Sequence, residues 1–237
     1  LPVLLDPVLK EQTPFEENEI YSFMVLDKIK TDQEEYFQLE GLVYRLVPLK
    51  SENRNWLEYG RIDTDILYDN VMNNFVWGGA NDERANIDYH HKRTITVIKA
   101  RQQYAKLSKA LSQEGKYEKA SEVLDFCMKS LPLEKIPYDP YVPDIIEAYF
   151  AAGNTGKAIE MTRTLCDHYY GQLDYYLQQR PYIVGSAEYA IGTAFEYARR
   201  AGESCIANGE RETGAEINTK LTGYYSRYMK FVDPASR

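Results

Sequence analysis

Gly115-Lys116-Tyr117-Glu118-Lys119-Ala120 and Gly153-Asn154-Thr155-Gly156-Lys157-Ala158 are one phrase written twice, 38 positions apart. Each copy lies between two amphipathic stretches, so the chain predicts an array of helix-turn-helix repeats. Gly opens the turn, and a small residue follows five positions later where paired helices cross closely. Repeats of this kind build extended docking surfaces rather than reaction centres.

Working outward, the first unit predicts helices over Arg93 to Glu114 and Tyr117 to Leu131. With Gln103 as position 3, the segment places Tyr104, Leu107, Ser108, Leu111, Ala120, Leu124, Cys127 and Pro132 at positions 4, 7, 8, 11, 20, 24, 27 and 32. These are slots of the tetratricopeptide repeat, whose unit is about 34 residues. A proline-rich connector, Leu131 to Pro143, accounts for the longer spacing. The second unit predicts helices over Asp144 to Ala152 and Thr155 to about Tyr170, the first kept short by Pro143. A further helical segment is expected over Tyr169 to Tyr182. A degenerate third unit follows, with a helix over Ser186 to Ala207, a break at Asn208-Gly209 and a helix over Glu212 to Phe231. Gly214 stands there in place of the small Ala. The expected fold is mainly α, a tetratricopeptide-like solenoid over 93–237 with a small mixed α/β portion over 1–92.

That first portion reads differently. Glu19 to Ile29 fits a helix slightly better than a strand. Gly41-Leu42-Val43-Tyr44-Arg45-Leu46-Val47-Pro48 is the best strand, rich in branched residues and closed by Pro. It needs a partner, either near 20–26 or missing from the chain. Asp63 or Thr64 should cap a helix carrying Leu67, Val71 and Phe75 on one face and ended by Gly78-Gly79. Ala80 to His91 reads as a polar loop.

Composition excludes several functions. With 28 basic and 36 acidic residues the net charge is −8, and no basic stripe appears. Nucleic-acid backbone is therefore not an expected partner. No apolar run approaches the ~20 residues that cross a bilayer. The opening Leu1-Pro2-Val3-Leu4-Leu5-Asp6 does not read as a signal peptide, and a truncated or processed chain is expected. Cys127, Cys166 and Cys205 contain no CxxC pair, so they read as small buried thiols in helices. The 21 tyrosines suit helix packing first and sticky grooves second.

Catalytic constellations are missing. His90-His91 and His168 have no metal-ligand spacing. Gly78-Gly79 lacks the Lys-Ser or Lys-Thr of a phosphate loop, and no GxSxG elbow occurs. Asp63-Thr64-Asp65 has the letters of a metal-nucleotide motif, yet a helix follows at once, and capping explains it better. Glu16-Glu17 and Glu34-Glu35 read as solvated charge. The fragment is expected to be non-enzymatic, without cofactor or metal. What remains is the concave face, with Gln102, Lys109 and Gln113 from the first unit, Glu147 and Phe150 from the second, and Glu196, Arg199 and Glu203 from the third. These are candidates for holding a protein or peptide ligand.

Two phrases carry a resemblance: Tyr36-Phe37-Gln38-Leu39-Glu40-Gly41-Leu42-Val43-Tyr44-Arg45-Leu46-Val47-Pro48, and Asp65-Ile66-Leu67-Tyr68-Asp69-Asn70-Val71-Met72-Asn73 with Phe75-Val76-Trp77-Gly78-Gly79. With the helical repeats behind them, they resemble the C-terminal soluble region of a bacterial protein O-mannosyltransferase-like family of multi-spanning membrane proteins, a domain of unknown function. The resemblance covers about residues 19 to 180. It implies an extracytoplasmic docking or positioning domain at the periplasmic face of the inner membrane, with any catalytic carboxylate in membrane loops outside this chain. Family members usually carry a Trp-Lys-Arg-Pro-Ile-Tyr-Phe-like strand where this chain has only Lys30 to Glu35. The alternative is a free-standing adaptor of tetratricopeptide type.

Overall fold

The computed structural model describes residues 21–23, 36–51, 60–90, 92, 99–136 and 138–232. The chain divides into two compact units, Leu1–Val76 and Trp77–Arg237. It is mainly helical, with one small mixed sheet in the first unit.

In that unit β2 (Phe37–Leu39) and β3 (Tyr44–Leu46) form an antiparallel hairpin, with Gln38 opposite Arg45. β1 (Tyr21–Phe23) pairs antiparallel with the other edge of β3, and β4 (Arg61–Ile62) runs parallel to β2. The partner expected near 20–26 is present, and Tyr21–Phe23 is strand where periodicity leans toward helix. Pairing with β3 decides what three residues of pattern could not. The remainder of Glu19 to Ile29 and the stretch Lys30 to Glu35 lie outside the described residues.

Helix α1 (Thr64–Asp69) starts on Asp63, whose Oδ1 accepts from the Ile66 amide at 3.1 Å. It widens into a π turn, Asn70–Asn74, closed by the Phe75 amide donating to the Asn70 carbonyl. Leu67 and Val71 are fully buried. Phe75 has left the helix for extended backbone, so the helix ends at Asn74, four residues before Gly78. The Asn70 side-chain Nδ2 donates to the Glu40 carbonyl at 2.6 Å, tying the π turn to the β2–β3 connection.

The second unit is built from helical hairpins. α2 (Ala100–Gln113) pairs with α3 (Tyr117–Ser130), α4 (Val142–Ala151) with α5 (Thr155–Tyr176), and α7 (Glu188–Ala207) with α8 (Arg211–Val232). α6 (Pro181–Ser186) is a short helix before the third hairpin. α4 also packs on α2, and α7 packs on both α4 and α5. The three turns share one geometry. Gly115, Gly153 and Gly209 have φ of 77°, 74° and 91°. The next amide donates back to a carbonyl five residues earlier: Lys116 to Leu111, Asn154 to Tyr149, Glu210 to Cys205. This is the Schellman closure, whose left-handed residue is nearly free of strain only as Gly.

The crossing points are as tight as the small residues suggest. Ser108, Ala120 and Ala158 are fully buried, and the Ser108 hydroxyl donates to the Ala120 carbonyl at 2.9 Å. Each hairpin also encloses one thiol: Cys127 in α3, Cys166 in α5 and Cys205 in α7 are free and buried. Burial pushes the Cys127 and Cys166 thiols up to about 12.

Several boundaries shift. α2 begins at Ala100 behind Lys99, whose φ is +55°, and 93–98 lie outside the described residues. α4 starts at Val142 and includes Pro143, which is tolerated in a first turn where no amide donor is needed. α5 continues to Tyr176, absorbing most of the separate segment expected over 169–182, and α7 begins at Glu188 rather than Ser186.

The connector between the first two hairpins is fixed by a buried ion pair. Arg101 is fully buried in α2; its Nη1 donates to Asp139 Oδ2 at 2.7 Å. Its Nη2 donates to the carbonyls of Leu131 (2.9 Å) and Ile136 (2.6 Å). Asp139 Oδ1 then accepts from the Tyr141 amide at 2.9 Å, at the threshold of α4. One guanidinium thus satisfies two carbonyls of an irregular segment that has no ladder of its own.

Candidate docking face

The first helices α2, α4 and α7 lie beside one another, and their shared face carries a ladder of charges. Lys109 Nζ on α2 meets Glu147 Oε2 on α4 at 2.8 Å. Glu147 Oε1 accepts from Arg200 on α7, at 2.9 Å from Nε and 2.7 Å from Nη2. Arg200 Nη2 also donates to Asp144. The side chains are roughly one-sixth to one-third exposed. At that depth such pairs keep more strength than surface pairs and remain within reach of a partner.

The spacing explains the ladder. Lys109 and Glu147 occupy equivalent slots 38 residues apart, and Asp144 and Arg200 occupy equivalent slots 56 residues apart. Adjacent hairpins therefore bring like positions together, and the sequence alternates their sign. Burial pushes the Glu147 carboxyl up, but hydrogen bonds and charge from Lys109 and Arg200 outweigh it and hold the group below the usual glutamate range. Burial works against the Arg200 charge, and Asp144 with Glu147 more than restores it.

Of the residues singled out from sequence, Lys109 and Glu147 meet. Gln102 is half-buried and Gln113 exposed on α2. Phe150 is buried, 7% exposed, so its ring belongs to the packing between hairpins rather than to an open surface. Glu196, Arg199 and Glu203 form an exposed cluster internal to α7, with Arg199 bonding Glu196 at 2.8 Å and Glu203 at 2.5 Å. Sequence reasoning missed Asp144 and Arg200; the 56-residue offset of the third unit would have found them. It also missed the Arg101–Asp139 clamp, because an arginine inside an amphipathic pattern ordinarily reads as surface.

Among the described residues no group of three or more His, Cys, Asp or Glu comes together as a metal site. Among them, too, no helix is long and apolar enough to cross a membrane. His168 stacks on Tyr138 with ring centroids 4.1 Å apart, and burial lowers its pKa. No protein-family model, curated protein or solved structure matches this chain.

Proposed function

We propose that the second unit is a tetratricopeptide-like docking module that receives a protein or peptide partner along the face formed by α2, α4 and α7. The single observation behind this reading is the repeated Schellman turn with its alternating-sign ladder. Three hairpins closed by the same hydrogen bonds present equivalent first-helix positions in one row. A row of that kind offers a partner polar handles at the spacing of successive hairpins, with Gln102 and Gln113 beside it as neutral donors and acceptors. The module is non-catalytic, and its setting, following the resemblance of the 36–48 and 65–79 phrases, is the periplasmic side of a glycosyltransferase-like membrane protein.

Site-specific photocrosslinking in cells tests the docking role. A crosslinker at Gln113 or Glu196 should trap a defined protein, and one at Thr222 on α8 should trap none. Equal trapping at all three positions, or none at Gln113 and Glu196, would remove the face from consideration.

A further inference from the structure

The second helices leave a separate cleft. Between α3, α5, Tyr149 of α4 and the connector lies a hollow of about 470 Å3, large enough for one or two side chains. Its aliphatic lining is Met128, Leu133 and Met161. Within it Lys157 Nζ grips both Asp125 oxygens, at 2.5 and 2.6 Å, and the Tyr149 hydroxyl donates to Asp125 Oδ1 at 2.8 Å. The lone cation among the described lining residues is therefore already neutralised. Glu160, on the same rim, has no ion-pair partner among the described residues.

The surroundings of Thr164 add more acid. The Tyr138 hydroxyl lies 3.4 Å from the carbonyl of Thr164, another lining residue, so Tyr138 and the His168 ring stacked on it extend the cleft. Burial pushes that hydroxyl up, and the nearby carboxylates of Glu134 and Asp167 add to the effect. Neither carboxylate has an ion-pair partner among the described residues, and the lowered pKa of His168 leaves its ring neutral at pH 7.

We infer that this cleft docks a basic amphipathic helix of a partner protein, its apolar side chains on Met128, Leu133 and Met161 and its Lys or Arg residues against Glu160, Glu134 and Asp167. Two features select that occupant. Methionine is unbranched and polarisable, so a lining of two methionines and a leucine adapts to varied apolar anchors. Uncompensated carboxylates at Glu160 and, beside Tyr138, at Glu134 and Asp167 favour a cationic rim over an acidic or neutral one. The cleft is lined from α3, the connector, α5 and Tyr149 of α4 and includes none of the ladder residues Lys109, Asp144, Glu147 and Arg200, so it stands or falls independently of the docking role proposed above.

Fluorescence anisotropy on the full chain tests it, with a labelled synthetic helix of Leu and Lys in amphipathic register and a twin carrying Glu for Lys. The Leu/Lys helix should bind, more weakly as salt rises, and the Leu/Glu twin should not. Glu160→Lys and Met161→Asp should each weaken binding about tenfold or more, with circular dichroism unchanged. Glu212→Lys, the same charge change at the start of α8, should alter it by about twofold or less. Absence of binding, preference for the Leu/Glu twin, or equal loss from Glu212→Lys would overturn the inference. So would a dimer in sedimentation that Glu160→Lys dissolves, since a second copy would then own the cleft.

Discussion

The first two hairpins and the third close in the same way but tolerate different atoms at the crossing. Ala120 and Ala158 hold a methyl group in the first two, fully buried. In the third, a Cβ on Gly214 would lie 2.3 Å from Ile206 Cγ1 and 2.8 Å from the Gly202 carbonyl oxygen. Gly202, on the facing helix, is nearly as confined, with Ile217 Cγ2 2.9 Å from where its Cβ would stand. The third pair thus approaches more closely than a methyl allows. What reads as decay of the repeat is a tighter version of it.

The connectors differ as well. The buried Arg101–Asp139 pair locks the segment between the first two hairpins, whereas α6 bridges the second and third. Asp139→Ala tests this contrast hardest, because it leaves a buried guanidinium without its anion, a loss of about 3–5 kcal/mol. Chemical denaturation should register that loss, and hydrogen exchange should place it in α2 and α4 more than in α8.

A matched pair of glycine substitutions probes the crossing itself. Gly214→Ala should destabilise by about 1–3 kcal/mol through overpacking. Gly223→Ala, on the same helix with open space around it, should stabilise by about 0.5–1 kcal/mol because Ala is the better helix former. Thermal melts showing the same sign for both would refute the tight third crossing.

The smallest effect concerns the ladder. The folded state holds the Glu147 carboxyl below its ordinary value, so its contribution is present above the unfolded pKa. It is lost as pH falls through the lower folded value. At pH 7 Glu147→Gln should cost about 1 kcal/mol, given partial exposure. The gap from the parent chain should close on acidification below about pH 4. Glu203→Gln, an exposed partner of Arg199, should show a gap under about 0.5 kcal/mol at any pH.

Much of the helical unit was legible because its rules are local. Gly115, Gly153 and Gly209 mark the turns, and Ala120 and Ala158 mark the crossings; each needs only one residue type at one place. Helix ends were less legible where two tendencies compete. Pro143 reads as a barrier, yet in the first turn it lacks only a donor the helix does not use. In the first unit, β1 is three residues long and takes its state from β3, so its own pattern carried little information. The charge ladder was half visible. Lys109 and Glu147 stood in assigned slots, but their bond to each other, and to Arg200, depends on how neighbouring hairpins are registered. The α3–α5 cleft depends on three separated segments meeting, which no single stretch announces.

The placement of one enclosed sulfur atom in each hairpin has an experimental consequence. Burial raises all three thiols, Cys127 and Cys166 to about 12, and alkylating reagents cannot reach a closed core, so modification must wait for the surrounding helices to part. The chain therefore carries three native clocks, and the order in which Cys127, Cys166 and Cys205 become reactive would time the opening of each hairpin without any added probe.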